Sequence, residues 1–221
     1  METATEPTLI ERLKAGIWDI HEGVTNGVQQ APPEEDNIMK GTLPKAKYVA
    51  SLGQRYLLLR AFEMQLAAAR AKSTELASVV TDEQFHAPKS VADLKFFGVD
   101  AQKVKALQST VAAIDFVDAC ASKGWRHVLA IHYVIEGSNN GARFIAKAVR
   151  KAYDLEGLDG TWHLDPYGEE QRGKWKAFGE AFNKLSISDA EMQDMVDVGR
   201  QTFAHLNKMG AEAYAAAAEG K

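Results

Sequence analysis

The segment His132-Tyr133-Val134-Ile135-Glu136-Gly137-Ser138-Asn139-Asn140-Gly141-Ala142-Arg143 decides the fold. Tyr133, Gly137 and Gly141 recur every four residues, so on a helix they share one face, with Ala130 nearby. An interior glycine costs about 1 kcal/mol relative to alanine, so two of them need a reason. A stripe of small residues lets a helix backbone approach a neighbour closely, either a second helix or a flat ligand. Ser138, Asn139 and Asn140 favour the ligand. In mid-helix their side chains lower helical propensity and compete for backbone hydrogen bonds. A glycine-softened, locally bent helix laid over a ligand accounts for the combination.

The chain around this segment reads as helical throughout, with no convincing alternating strand. That segment itself belongs to a helix expected over Trp125–Tyr153, separated by Gly124 from another over Asp100–Lys123. Upstream, Leu9, Leu13, Ile17, Ile20, Val24 and Val28 trace one apolar stripe of a first helix over Thr8–Gln29, which Pro32 and Pro33 then break. Pro44 suits the first turn of a long second helix running to Lys72. A short helix over Val91–Phe97 is expected, capped by Ser90 and ended by Gly98. Leu155–Gly168, rich in Gly, Asp and Pro, reads as an ordered loop before helices over Glu169–Leu185 and Ala190–Ala218. Ser188 and Glu191 form a capping-box pattern at the start of the last one. The expected fold class is therefore all-α, in a single domain.

Composition narrows the functional classes. With 221 residues, 46% of them apolar, the chain can bury one sizeable core. The 26 basic and 30 acidic residues are interspersed, so there is no concentrated positive field for a phosphate backbone and no nucleic-acid partner is expected. No apolar run reaches the roughly 18–20 residues of a membrane span. Met1–Glu11 is polar and acidic, without the apolar core of a signal peptide, and the expected location is cytoplasmic. Cys120, the single cysteine, sits among Val117, Ala119 and Ala121 and reads as a small buried hydrophobe.

The first helix carries a second suggestive pair. Lys14 and His21 are seven residues apart, about 10 Å along the axis and on nearly one azimuth. His21 shares its stripe with Ile17, Val24 and Val28. An imidazole there is either a satisfied core histidine or an axial ligand to a cofactor lying against the stripe.

Leu13-Lys14 followed by His21 resembles the proximal helix of heme oxygenases, including the Lys-to-His spacing. Lys40-Gly41 followed by Tyr48, Leu52, Tyr56 and Phe62-Glu63 is similar to the family's next helix. Tyr133-Val134-Ile135-Glu136-Gly137-Ser138 with Gly141 resembles the distal-helix motif of its bacterial, biliverdin-producing branch, and Pro166-Tyr167-Gly168, Trp175 and Phe178 match that branch too. The resemblance covers roughly residues 8–208, leaving 209–221 as an alanine-rich tail.

That resemblance implies a heme oxygenase-like helical fold with heme held between the first helix and the glycine-kinked distal helix. It implies His21 as the iron ligand, with Lys14, Tyr133 and Lys176 contacting heme. Gly137 and Gly141 would form the close distal wall, with Ser138 and Asn140 as water organisers. Heme is then both substrate and cofactor, opened to biliverdin, carbon monoxide and ferrous iron with O2 and an electron donor such as a ferredoxin or a reductase. Mammalian members carry an aspartate at the position of Ser138; this chain has the serine of some bacterial members. Lys174, Lys176 and Lys184 occupy the region of the propionate-binding residues, and each also reads as a solvated lysine.

Two alternatives remain. His132 lies four residues before Glu136, a spacing that can bind a non-heme metal, and with Glu22 and Glu63 it would suit a di-iron oxidase of the same fold. A non-catalytic heme-binding protein would keep His21 and the pocket alone. His86 and His163 are expected on surface loops, and His127 and His205 have no evident partner.

Overall fold

The computed structural model describes residues 6–25 and 37–219, with side chains described for residues 6–18 and 37–217. Among the described residues every regular element is helical, as expected. The main helices are α1 (Leu9–Thr25), α2 (Lys45–Arg70), α3 (Thr74–Ala77), α4 (Ala87–Phe96), α5 (Gln108–Lys123), α6 (Trp125–Tyr153), α7 (Gln171–Phe182) and α8 (Asp189–Glu219). The part of the first helix expected beyond Thr25, and the Pro32–Pro33 break, lie outside the described residues.

Local chemistry sets the ends of the long helices. Gly124, at φ +132°, turns the chain from α5 into α6, and Asp154 closes α6 in the left-handed conformation with its N–H on the Arg150 carbonyl. The capping box forms: the Ser188 N–H donates to Glu191 Oε2 at 2.8 Å, and the Glu191 N–H to Ser188 Oγ at 3.3 Å. The segment expected as a tail begins inside α8, where Met209 and Ala213 are buried.

α2 buries Leu57, Leu58 and Leu59 in succession, a wider arc than a single apolar stripe covers. It runs through the middle of the molecule, against α4, α5, α6 and α8. α1 lies across α8 and α7 with Leu13 and Ile17 fully buried. Glycines make that crossing tight. A Cβ on Gly16 would stand 2.5 Å from Val196 Cγ2, and one on Gly199 would overlap Ile17 Cδ1. Arg200 Nε then donates to the Gly16 carbonyl at 2.8 Å.

Two expected boundaries move, both because of a side chain on α2. The helix expected from Asp100 begins at Gln108, after a 3₁₀ turn at Ala101–Lys103 capped by Asp100. The buried Gln54 takes over the backbone there. Its Nε2 donates to the Lys105 carbonyl at 3.0 Å, and its Oε1 accepts from the Leu107 N–H at 2.9 Å and Thr110 Oγ1 at 2.8 Å. The helix expected from Val91 begins at Ala87, because Glu63 Oε1 accepts the N–H groups of His86 and Ala87 and caps it. Ser90, expected as the cap, is instead buried inside α4.

The Leu155–Gly168 segment is an ordered run of turns with a buried anchor. Asp93 of α4 accepts the N–H groups of Trp162 and His163 at 3.1 and 2.8 Å and contacts His163 Nδ1 at 2.7 Å. Tyr48 donates to the Gly160 carbonyl at 2.8 Å. His163 and His86 are therefore buried, against the expectation of surface loops, because each meets a buried carboxylate. Cys120 is buried as expected.

Candidate functional site

The two glycines of α6 have different surroundings. A Cβ built on Gly141 meets nothing within 4 Å, so no packed neighbour requires a glycine there. A Cβ on Gly137 would stand 3.3 Å from Cη2 of Trp175, so α7 already explains the small residue at that position. Tyr133, on the same stripe, is buried 5.7 Å from the Trp175 ring and 6.4 Å from Phe182, and burial pushes its hydroxyl up to about 12. One turn beyond Gly141, Phe144 is 64% exposed. A bare backbone beside an exposed apolar ring is what a flat, largely apolar ligand needs from one wall of its pocket.

Ser138 and Asn140 hold opposite flanks of this wall. The Ser138 hydroxyl donates to the Ile135 carbonyl at 2.7 Å and accepts from Arg55 Nη2 of α2 at 3.4 Å. Asn140 Nδ2 donates to the Gly137 carbonyl at 3.0 Å, and its Oδ1 accepts from Gln171 Nε2 at 3.3 Å. Both side chains therefore bond a carbonyl three residues back in their own helix, the competition expected of Ser and Asn there.

His21 lies on α1, and its side chain, like that of Glu22, is outside the described residues. Lys14 is exposed, with its Nζ 4.6 Å from the centre of the Trp18 ring. Lys176 is exposed and pairs with Glu180 at 3.7 Å. Lys174 pairs with Glu83 and, at 3.5 Å, with Glu170. Lys14, Tyr133 and Lys176 are thus placed on three helices, with Tyr133 in the core and the two lysines at the surface.

Behind the wall lies a buried polar cluster that the sequence pattern did not expose. Glu136 Oε1 accepts from the Tyr167 hydroxyl and faces His86 Nε2 at 3.5 Å, while Oε2 accepts from Asn139 at 2.8 Å. Lys89 Nζ donates to His86 Nδ1 at 3.0 Å, which leaves the imidazole proton on Nε2, pointing at Glu136. Burial opposes the Glu136 charge, but His86, then His132 and Tyr167, outweigh it and hold the carboxyl below its ordinary value. Glu63 is different: burial outweighs its two backbone donors and pushes it up to about 7. The cluster's one signal in the sequence was Glu136, a carboxylate on the core-facing side of an amphipathic helix. Apart from Asn139, its partners come from His86 at the start of α4 and from the turn before α7, which no local periodicity links to it.

His132 does not join Glu136 in a metal set. Its Nε2 is 3.2 Å from Gln84 Oε1, its ring stacks on Phe62 at 6.0 Å, and burial drives it down to about 4. Glu63 is engaged in capping α4. Among the described residues no three His, Cys, Asp or Glu side chains are gathered to hold a metal ion. A cavity of about 570 Å³ lies elsewhere, between α2 and the Val99–Lys105 segment, and includes none of the expected site residues.

A family model described as heme oxygenase matches residues 8–212. Among solved structures, heme oxygenase-1 from the cyanobacterium Synechocystis sp. PCC6803, in complex with heme, is 22% identical with a TM-score of 0.83, the match covering 96% of this chain and 95% of that one. The heme oxygenase of Leptospira interrogans is 20% identical with a TM-score of 0.83, covering 93% and 100%. A TenA homologue protein from P. horikoshii OT3 shares the fold at a TM-score of 0.69 and 16% identity, covering 95% and 99%. No sequence among the curated proteins matches this chain.

Proposed function

This chain belongs to the heme oxygenase family, and from that premise we propose that it opens heme to biliverdin, carbon monoxide and ferrous iron, using O2 and electrons from an external donor such as a ferredoxin or a reductase. The observation that carries the proposal is the bare backbone at Gly141, on a helix that shares the partner α8 with the helix bearing His21. Heme, as the substrate, supplies the iron and the ring that is oxidised. The protein supplies position, polarity and control of water.

In this reading His21 ligates the iron from α1, and Lys14 answers a propionate at the edge of the ring, with Lys176 a second cation for the same purpose. Gly141 allows α6 to stand close over the ring, and Tyr133 backs that wall from the core. A glycine backbone in place of a strong acid or imidazole close above the iron favours attack on the ring over peroxidase-like O–O cleavage. Ser138 and Asn140 each retain hydrogen-bonding capacity for water, since a hydroxyl and a carbonyl oxygen have a second lone pair. No described helix is long and apolar enough to cross a membrane, and we place the reaction in the cytoplasm.

The test is direct. Hemin is added to the purified protein, the absorption spectrum is followed to saturation, and ascorbate or a reductase is then supplied while biliverdin is measured. One heme per chain with biliverdin release is the expected outcome. Binding without biliverdin would identify a heme-binding protein instead, and two tightly held irons in heme-free protein would identify a di-iron oxidase.

A further inference from the structure

Tyr167, Gln171 and Trp175, at steps of four, all touch α6 at the glycine segment. Tyr167 donates to Glu136, Gln171 donates to Asn140 at 3.3 Å, and the Trp175 indole lies against Gly137. Glu136 and Asn140 are themselves four residues apart, one turn of the helix, so the two hydrogen bonds form consecutive rungs. Each rung has one buried partner and one half-buried: Glu136 is 3% exposed and Gln171 2%, while Tyr167 and Asn140 are half-buried. The first is further braced by His86 and Lys89 of α4, the second by the Asn140 amide on the Gly137 carbonyl.

We propose that Glu136, Tyr167 and Gln171 are the positioning residues of the glycine wall. Two rungs on successive turns fix the rotation of α6 about its axis at the one place where interior glycines and mid-helix Ser and Asn weaken it. Rotation of this segment would swing the Gly141 backbone away from the pocket and bring Asn140 or Ala142 towards it. The rungs therefore set how close the wall stands to the ring, and which polar atoms face it. None of the three residues needs to touch the ring to do so. The inference rests on the proposed heme chemistry for its consequence, but not for its geometry.

The test combines Tyr167→Phe with Gln171→Leu, and uses Glu136→Gln as a milder variant that keeps one acceptor oxygen. In heme-free protein, amide hydrogen exchange at residues 137–142 should quicken by about tenfold in the double variant, with α2 and α8 unchanged. With hemin bound, the acid–alkaline transition of the ferric complex should shift by about half a pH unit or more, and the biliverdin isomer ratio should change. Glu136→Gln should do the same at smaller size. Parental exchange in both proteins overturns the inference, and so does acceleration spread evenly over α2 and α8, which would mark a purely structural role. Failure of the parent to bind hemin would overturn the proposed function, while the exchange data still decide on the rungs.

Discussion

Gly199 of α8 leaves the space that Ile17 of α1 fills, and Val134 of α6 closes it from the other side: a Cβ on Gly199 would overlap Ile17 Cδ1 and stand 3.6 Å from Val134 Cγ2. At this point the helix that carries His21 and the helix that carries the glycine wall meet on their shared partner. The separation of α1 and α6 is therefore set four residues from His21 on α1 and three from Gly137 on α6, which in the proposed reading is the separation of the pocket's two walls.

Gly199→Val should push α1 outward, because neither Ile17 nor Val134 has room to give. Overpacking of this kind costs about 1–3 kcal/mol, read as a lowered Tm. Hemin affinity should fall as well. Normal hemin affinity in a destabilised variant would separate the crossing from the pocket.

His21→Ala should lose the histidine-ligated spectrum while retaining some heme by apolar contact. Resonance Raman spectroscopy of the ferrous complex checks this. An unchanged iron–imidazole stretch would remove His21 from the assignment.

The two glycines should respond differently to the same substitution. At Gly141 a Cβ meets no atom within 4 Å, so Gly141→Leu should block turnover with little change in Tm. Gly137→Leu meets the Trp175 indole, so it should destabilise the fold by about 1–3 kcal/mol whatever it does to turnover. Activity per folded molecule, measured beside thermal melts, distinguishes them. If Gly141→Leu keeps its turnover, the wall is not at Gly141.

Glu63 should leave a mark on the pH dependence of stability. Its folded value, about 7, lies above the ordinary 4.5, so the native state holds the proton more tightly than the unfolded chain. Stability from this group is therefore full below about pH 4.5 and is lost as pH rises through 7. His132, driven down to about 4, acts oppositely: its stability is full above about 6.5 and is lost as pH falls. The two partly cancel in the parent protein. Glu63→Gln keeps an acceptor for the α4 cap and removes one slope, so its stability relative to the parent should increase from pH 5 to pH 7.5. Parallel curves for the two proteins would show that Glu63 does not titrate in that range.

Ser138→Ala and Asn140→Ala should each slow turnover by less than tenfold, the scale of losing roughly 1 kcal/mol of hydrogen bonding. The double variant should lose more than either. Single-turnover decay of the oxygenated heme complex, with biliverdin quantified, is the measurement. Abolition of biliverdin by Ser138→Ala alone would show that one hydroxyl holds the catalytic water and that Asn140 takes no share.

Local chemistry was enough to place the long elements. Gly124 before α6, the capping box at Ser188 and Glu191, and the apolar stripe through Leu13 and Ile17 each act within a turn or two of the chain, so their pattern could be read directly. The glycine segment and the Lys14–His21 spacing likewise pointed to the family. What escaped that reading depends on residues far apart in the chain. Gln54 delays the start of α5 by bonding Leu107, 53 residues away, and Glu63 advances the start of α4 from 23 residues away. Asp93 and Glu136 draw His163 and His86 inside, and Trp175 makes Gly137 a packing glycine while Gly141 stays bare. A buried polar group must find a partner wherever the fold places one, and a Cβ is excluded only by atoms that the fold has brought near. Neither condition produces a periodic signal, so both were decided by tertiary packing.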